Sequence, residues 1–281
     1  MMRGRKRSEQ FRLHNISISN YCADTLLFFR REIRKKFLAF LVFVIVLFGM
    51  VYARADIVVI QDGSNHTFSD NTYENDSVYL DYTISAGTHV DLVNGGSVSN
   101  LGAYNSATIT MTGGSVEWNL GANDSSTITI SGGSVPTFEA SDNSTATILG
   151  GVISNGIIAY LNATITVSGG SLGPLLTKHD ATIFLNGTDF QADGDPLMLG
   201  DKLSDFGTLD TDAFGDYYTG TVTGILSDSS TLNTTFKIYN TGINAGTADI
   251  IIIPEPATIF MLGLGALTLL RKKHKYKINP T

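Results

Sequence analysis

The sequence of 281 residues contains a single cysteine, Cys22, and very few cations over its central part. A lone cysteine excludes an intramolecular disulfide framework. Between Asp56 and Ile253 there is no arginine, and three lysines stand against 22 acidic residues, which gives this stretch a net charge of −19. A chain this acidic repels phosphate instead of releasing counterions from it, so we expect no nucleic-acid partner.

The cations are concentrated at the two ends of the chain, each time beside an apolar run. Eleven of the 19 Lys and Arg residues lie in residues 1–55. A basic segment at 30–36 precedes an apolar run at 37–52, and Ala53 and Ala55 then occupy the two positions that a signal peptidase reads. Residues 1–55 are therefore predicted to be a signal peptide cut after Ala55. An uncleaved anchor is the alternative, because the run nears the length that spans a bilayer.

The C-terminal segment 254–281 has three parts in a fixed order. They are the motif Pro254, Glu255 and Pro256, an apolar run at 257–270, and a basic cluster that includes Arg271, Lys272 and Lys273. This order resembles the PEP-CTERM family of sorting signals. The resemblance implies a transmembrane helix in the inner membrane, recognition by an exosortase-type transpeptidase, and a Gram-negative envelope, often one that makes extracellular polysaccharide. An ordinary tail anchor is the alternative, and either anchor would keep the basic cluster cytoplasmic.

A repeat of 18 or 19 residues fills the middle of the chain. Its marker is a glycine pair, degraded in the last copy, at Gly95-Gly96, Gly113-Gly114, Gly132-Gly133, Gly150-Gly151, Gly169-Gly170 and Gly187-Thr188. Apolar residues recur at fixed offsets, and they alternate with Thr or Ser before each pair, as in half-buried strands. One such column contains Ile109, Ile128, Ala146, Ile165 and Ile183.

This periodicity predicts an all-β protein in which residues 89–190 form a parallel β-helix of about six turns. Stacked turns bury a continuous apolar ladder that one turn could not bury alone. We favour a right-handed coil. The left-handed β-helix is associated with strict hexapeptide repeats, and a spacing that alternates between 18 and 19 residues does not keep a six-residue period. A left-handed coil and an antiparallel sandwich are the alternatives. Residues 56–88 and 191–253 are predicted to be β-rich caps that protect the end edges.

Catalytic signals are sparse. Asp124 and Asp142 fall at nearly the same place in neighbouring turns, where they could act as paired carboxylates of a glycoside hydrolase. Asn and Asp fill that column, so turn formation explains it without catalysis. The lyase type of β-helix enzyme resembles a design in which an arginine abstracts a proton from the polysaccharide. Residues 56–253 contain no arginine that could do this. We therefore predict no enzymatic activity, with a polysaccharide-active enzyme as the alternative.

Cofactor signals are equally sparse. His66, His89 and His179 have no partner at metal-ligand spacing. The Asp193-Gly194-Asp195 and Asp210-Thr211-Asp212 segments offer oxygen ligands of the kind that calcium prefers. Neither segment fits an EF-hand loop, and such clusters are usually turns, so no cofactor is predicted and calcium stays the alternative.

Two threonines flank the apolar residue in four consecutive repeats. The pairs are Thr108 and Thr110, Thr127 and Thr129, Thr145 and Thr147, and Thr164 and Thr166. If the apolar neighbours point inward, strand alternation turns these hydroxyls outward. The resulting grid resembles the Thr-x-Thr faces of ice-binding β-helices, although threonine is also a common choice for a solvated strand.

Together these features predict an exported, non-enzymatic envelope or matrix protein that is sorted by its C-terminal segment. Its predicted partners are a signal peptidase, an exosortase-type transpeptidase and extracellular polysaccharide. A binding module that uses the grid of paired threonines is the second alternative to this role.

Overall fold

The chain folds as an all-β solenoid of about seven turns in a computed structural model, which describes residues 56–239 and 246–253. Apart from a short 3-10 helix at Leu203–Asp205, the elements of these residues are strands. In chain order they are β1 (Ile57–Ile60), β2 (Asn65–Phe68), β3 (Tyr73–Leu80), β4 (His89–Leu92), β5 (Ser97–Ala103), β6 (Thr108–Met111), β7 (Ser115–Ala122), β8 (Thr127–Ile130), β9 (Ser134–Ala140), β10 (Thr145–Ala159), β11 (Thr164–Leu172), β12 (Leu175–Thr177), β13 (Thr182–Ala192), β14 (Asp195–Pro196), β15 (Thr208–Asp212), β16 (Gly215–Leu226), β17 (Thr231–Tyr239) and β18 (Asp249–Ile253).

The strands stack into two long parallel ladders. The first ladder contains β2, β4, β6, β8, the start of β10, β11, the start of β13, and β18. The second ladder contains β1, β3, β5, β7, β9, the end of β10, β12 and β17. Each turn of the chain supplies one strand to each ladder. The predicted parallel β-helix is therefore confirmed as a β-solenoid, while its right-handed sense stays a prediction.

The core is a set of like residues stacked on themselves. In the first ladder Ile109 pairs with Ile128, Ala146 joins Ile128 to Ile165, and Ile165 pairs with Ile183. All five side chains are buried. The predicted apolar column is confirmed, and it continues through Val90 at one end and through Ile250, beyond the predicted repeats, at the other.

The glycine pairs make the bend between the two ladders. One glycine of each pair has a positive φ, as at Gly133, where φ is +85°. A Cβ there would lie 2.7 Å from the carbonyl oxygen of Gly113 in the preceding turn. The bend thus needs glycine both for its left-handed backbone and for the close approach of successive turns.

The solenoid has about seven turns, one more than the predicted six. Strands β2 and β3, in the segment predicted to be a cap, stack in register on β4 and β5. This first turn has Ser69 and Asp70 where later turns have glycine, so the repeat marker could not reveal it. Strand β1 pairs with β3 at the end of the second ladder and leaves Ile57 exposed there.

At the other end, antiparallel hairpins cover the last turn. Strand β16 pairs antiparallel with β13, β15 and β17. Strands β17 and β18 then return to the two ladders in parallel register. Buried Phe236 and Ile250 continue the core columns into this end.

The predicted signal peptide and C-terminal transmembrane helix lie outside the described residues. Within residues 56–239 and 246–253, no helix is both long and apolar enough to cross a membrane.

Candidate functional site

The eight predicted threonines form two columns on the outer side of the first ladder. Thr108, Thr127, Thr145 and Thr164 pair in succession, and Thr110, Thr129, Thr147 and Thr166 do the same beside them. All eight are exposed or half-buried, while the residue between each pair is buried. Neighbouring strands of a ladder are about 4.8 Å apart and alternate residues of one strand about 6.7 Å apart, and the Thr127 and Thr145 hydroxyls approach to 3.2 Å. We call this grid the threonine face.

The threonine face has defined ends. Beyond its first turn, His89 contacts the Thr108 hydroxyl through Nδ1 at 2.6 Å and Asp91 through Nε2 at 3.0 Å. Beyond its last turn, Thr166 pairs with Phe184, which pairs in turn with Ile251. The regular surface of paired threonines therefore spans four turns, and a chemically different surface bounds it on each side.

The aspartate pair lies in a structural turn. Asp124 and Asp142 have φ of 57° and 60°, and Asn105, Leu161 and His179 share this left-handed conformation in the neighbouring turns. Asp124 accepts a hydrogen bond from the Asn105 backbone N–H at 3.2 Å, and Asp142 accepts one from the Ser141 hydroxyl at 2.9 Å. Turn formation, which favours Asn and Asp at a left-handed position, accounts for both residues.

The imidazoles of His66 and His89 have local partners, whereas His179 Nδ1 is buried without a hydrogen bond to any of the described residues. His66 contacts Asp62 at 3.0 Å, and His89 contacts Thr108 and Asp91. His179 occupies a left-handed turn position, where its carbonyl accepts the Ala248 N–H at 2.7 Å. In the part of the chain that the structure describes, no three His, Cys, Asp or Glu residues form a group that could hold a metal ion.

Three of the four aspartates considered for calcium, Asp193, Asp210 and Asp212, accept hydrogen bonds from protein groups. Asp193 accepts the Thr221 backbone N–H at 2.8 Å, and Asp210 accepts the Tyr217 hydroxyl at 2.8 Å. Asp212 accepts hydrogen bonds from Lys237 Nζ at 2.6 Å and from the Tyr239 hydroxyl at 2.7 Å. These bonds lower the pKa of Asp212 to about 2. The carboxylates tie the hairpins of the C-terminal end together.

A cluster of lysines and aromatic rings, which was not predicted from the sequence, also lies at this end. Lys178 Nζ lies 4.9 Å from the ring centre of Tyr239 and 5.4 Å from that of Tyr160, and Lys237 Nζ lies 3.5 Å from that of Tyr217. Burial lowers the pKa of Lys178. Two of the three lysines between residues 56 and 253 thus serve cation–π contacts that hold the hairpins against the solenoid.

A second aromatic group lies near the first turns, on the outer side of the second ladder. It consists of Tyr79, Tyr82 and Tyr104. The repeat offered a signal for one member, because Tyr104 and Tyr160 occupy the same position in turns 56 residues apart. Tyr79 and Tyr82 gave no such signal, since the first turn lacks the glycine marker.

The sorting motif, the signal-cleavage residues Ala53 and Ala55, and the basic cluster Arg271–Lys273 lie outside the described residues. Residues 253–273 match the PEP-CTERM protein-sorting motif. This match confirms the predicted resemblance and implies exosortase-dependent sorting to the envelope, with export and passage through the membrane. No curated protein and no solved structure significantly matches the chain.

Proposed function

We propose that this chain is a non-enzymatic protein of a Gram-negative cell surface or extracellular matrix, delivered there by its PEP-CTERM segment. The match of residues 253–273 to the sorting motif carries the proposal. In this scheme signal peptidase cuts after Ala55, and an exosortase-type transpeptidase acts at Pro254-Glu255-Pro256. The apolar run and basic cluster hold the chain in the inner membrane until that step.

The side chains of the solenoid support a non-enzymatic role. Asp124 and Asp142 are turn residues, and Asp210 and Asp212 bind tyrosine and lysine. A lyase of the arginine type has no arginine available between residues 56 and 253. These four carboxylates are thus engaged in turns and hairpins, and the high negative charge favours solubility of the exported chain.

Sorting is tested by changing the motif without changing the solenoid. The variant Glu255→Gln removes the only charge of the Pro-Glu-Pro motif, and Glu117→Gln is the matched control because Glu117 is exposed on the solenoid. In the native host we expect the first variant to stay in the inner membrane while the control reaches the cell surface. Surface delivery of a chain with all three motif residues replaced by alanine would refute the proposal.

A second candidate function is recognition of ice or another crystalline surface by the threonine face. Two in-register columns of four outward threonines favour it, because they repeat methyl and hydroxyl groups at fixed spacings. The test is thermal hysteresis and ice recrystallisation with the Thr110→Lys, Thr129→Lys variant. The Thr231→Lys, Thr235→Lys variant is the control, since both residues are exposed on β17. If the unmodified protein has no effect on ice, recognition of ice by the threonine face is excluded.

A further inference from the structure

The tyrosines near the first turns of the solenoid form a compact surface group, which we call the tyrosine cluster. The ring centres of Tyr82 and Tyr104 lie 4.9 Å apart with the planes at 89°, and those of Tyr79 and Tyr104 lie 5.9 Å apart at 84°. These are edge-to-face contacts of the kind that aromatic pairs prefer. Tyr82 is 53% exposed, so the cluster presents ring surface to solvent.

The polar ends of this cluster are not used inside the protein. The hydroxyls of Tyr79, Tyr82 and Tyr104 make no hydrogen bond within the described residues, and none of them is a buried unpaired atom. By contrast, the hydroxyls of Tyr217 and Tyr239 donate to aspartates. The tyrosine cluster therefore keeps three hydroxyl groups open to a ligand.

A flat strip lies next to the tyrosine cluster. In the outward column of the second ladder Tyr79 is followed by Gly102, Gly121 and Glu139 in successive turns. The rings of Tyr79 and Tyr104 lie against Gly102, where an added Cβ would be 3.0 Å from each. At Gly121 an added Cβ would meet only the Asn123 side chain, at 3.4 Å. Gly102 is itself buried beneath these rings, so we call the open surface over Gly121, which the rings over Gly102 border, the glycine patch.

The far side of the glycine patch has a second exposed aromatic ring and polar groups. Trp118 is the single tryptophan of the chain and is 67% exposed. It precedes Gly121 by three residues in β7, where the ladder pairing is interrupted between Ser115 and Asn119. Asn119 Nδ2 donates to Glu139 Oε2 at 3.1 Å, which places an amide and a carboxylate at the border of the patch.

We propose that the glycine patch binds a linear, uncharged glycan. Sugar rings have apolar C–H faces that pack on aromatic rings such as those of Tyr104 and Trp118, whose π faces are electron-rich. Their hydroxyls can bond to the tyrosine hydroxyls and to the Asn119–Glu139 pair. The Glu139 carboxylate and the net charge of −19 over residues 56–253 repel an acidic polymer, which selects a neutral one.

This inference deepens the proposed function by giving the surface protein a partner class, and it depends on that function only for location. Binding is measured with the full chain purified in detergent, by isothermal titration. The probes are neutral hexasaccharides of β-1,4-glucose, α-1,4-glucose and β-1,4-mannose, with polygalacturonate as the acidic comparison. We expect saturable binding of at least one neutral hexasaccharide and none of polygalacturonate.

Two variants test whether the glycine patch binds the glycan. Trp118→Ala removes an exposed ring, and Gly121→Leu fills the strip at a position where the backbone accepts a side chain. Each should weaken binding at least about fivefold, the worth of one good aromatic contact. Phe214→Ala removes an exposed ring at the other end of the solenoid and should leave binding within about twofold, a loss far below that of one aromatic contact. Thermal unfolding of all three should match that of the unmodified chain.

The outcomes separate this inference from the proposed function. Failure to bind any of the neutral hexasaccharides, equal binding by the Trp118→Ala variant, or preference for polygalacturonate would overturn the glycan assignment. A chain that reaches the cell surface but binds no glycan refutes this inference alone. A chain that binds the glycan but is not sorted refutes the proposed function alone.

Discussion

Replacement of Ile128 by aspartate is the sharpest perturbation of the solenoid core. Ile128 is 0% exposed and is paired with Ile109 in the turn before it and Ala146 in the turn after it. A carboxylate at this place would be surrounded by apolar side chains, and the described residues offer it no cation. Burying an unpaired charge costs several kcal/mol, on top of the cavity left by the lost isoleucine.

That cost is large for a domain whose whole free energy of unfolding is about 5–15 kcal/mol. Because each turn of a solenoid contacts only its neighbours, the damage should be greatest in the adjoining turns. Hydrogen exchange followed by mass spectrometry can resolve this, whereas a single melting temperature would average over turns. We expect faster exchange in β6, β8 and the start of β10 of the Ile128→Asp variant.

Thr129→Asp is the matched control, since Thr129 is the next residue along and points to solvent. It introduces the same charge into the same strand, and it should leave exchange in the core close to that of the unmodified protein. Unchanged protection in the Ile128→Asp variant, or equal damage from both variants, would refute the assigned register.

Three further outcomes are expected. Residues 56–253 should depolymerise neither acidic nor neutral polysaccharides in a reducing-end assay; an activity abolished by Asp124→Asn or Asp142→Asn would contradict the non-enzymatic role. Bonding lowers the pKa of Asp212 from 3.8 to about 2, so its stabilisation of the C-terminal hairpins is present above about pH 4 and is lost as pH falls towards 2; near-ultraviolet circular dichroism should show this acid transition, and Asp212→Asn should weaken it, leaving the part that comes from Asp210, whose pKa hydrogen bonds also lower. Gly133→Ala should lower stability by at least about 1–2 kcal/mol in urea titrations, because its φ is +85°, whereas Gly121→Ala should be nearly neutral.

The sequence predicted the repeated part of the fold well because the repeat itself encodes the register. Ile109, Ile128 and Ile165 recur at intervals set by the length of one turn, and stacking of successive turns gives a reason for these matching columns. The first turn was not predicted, because Ser69 and Asp70 lie where later turns have the glycine pair. The strands of the first turn join the ladders by pairing with β4 and β5. This pairing is a tertiary interaction that the local sequence pattern does not indicate.

The candidate surfaces were predictable to different degrees. The threonine columns follow from strand alternation beside a known apolar column, so the predicted pairs lie in register. The tyrosine cluster joins Tyr79 and Tyr104, which are 25 residues apart and meet because Tyr79 pairs with Gly102, two residues before Tyr104. The hairpins that gather Lys178 and Lys237 pair antiparallel and follow no repeat. Such contacts could be found only from the folded chain.

The intact mass of the protein recovered from its native host tests the central claim most directly. Sorting through the PEP-CTERM segment predicts a mature chain that begins at Asp56, after a cut behind Ala55, and lacks the apolar run and basic cluster that follow Pro254-Glu255-Pro256. Peptides covering Arg271 to Lys277 should then be missing from surface-exposed material. A mature surface protein that still contains those peptides would contradict processing at the motif.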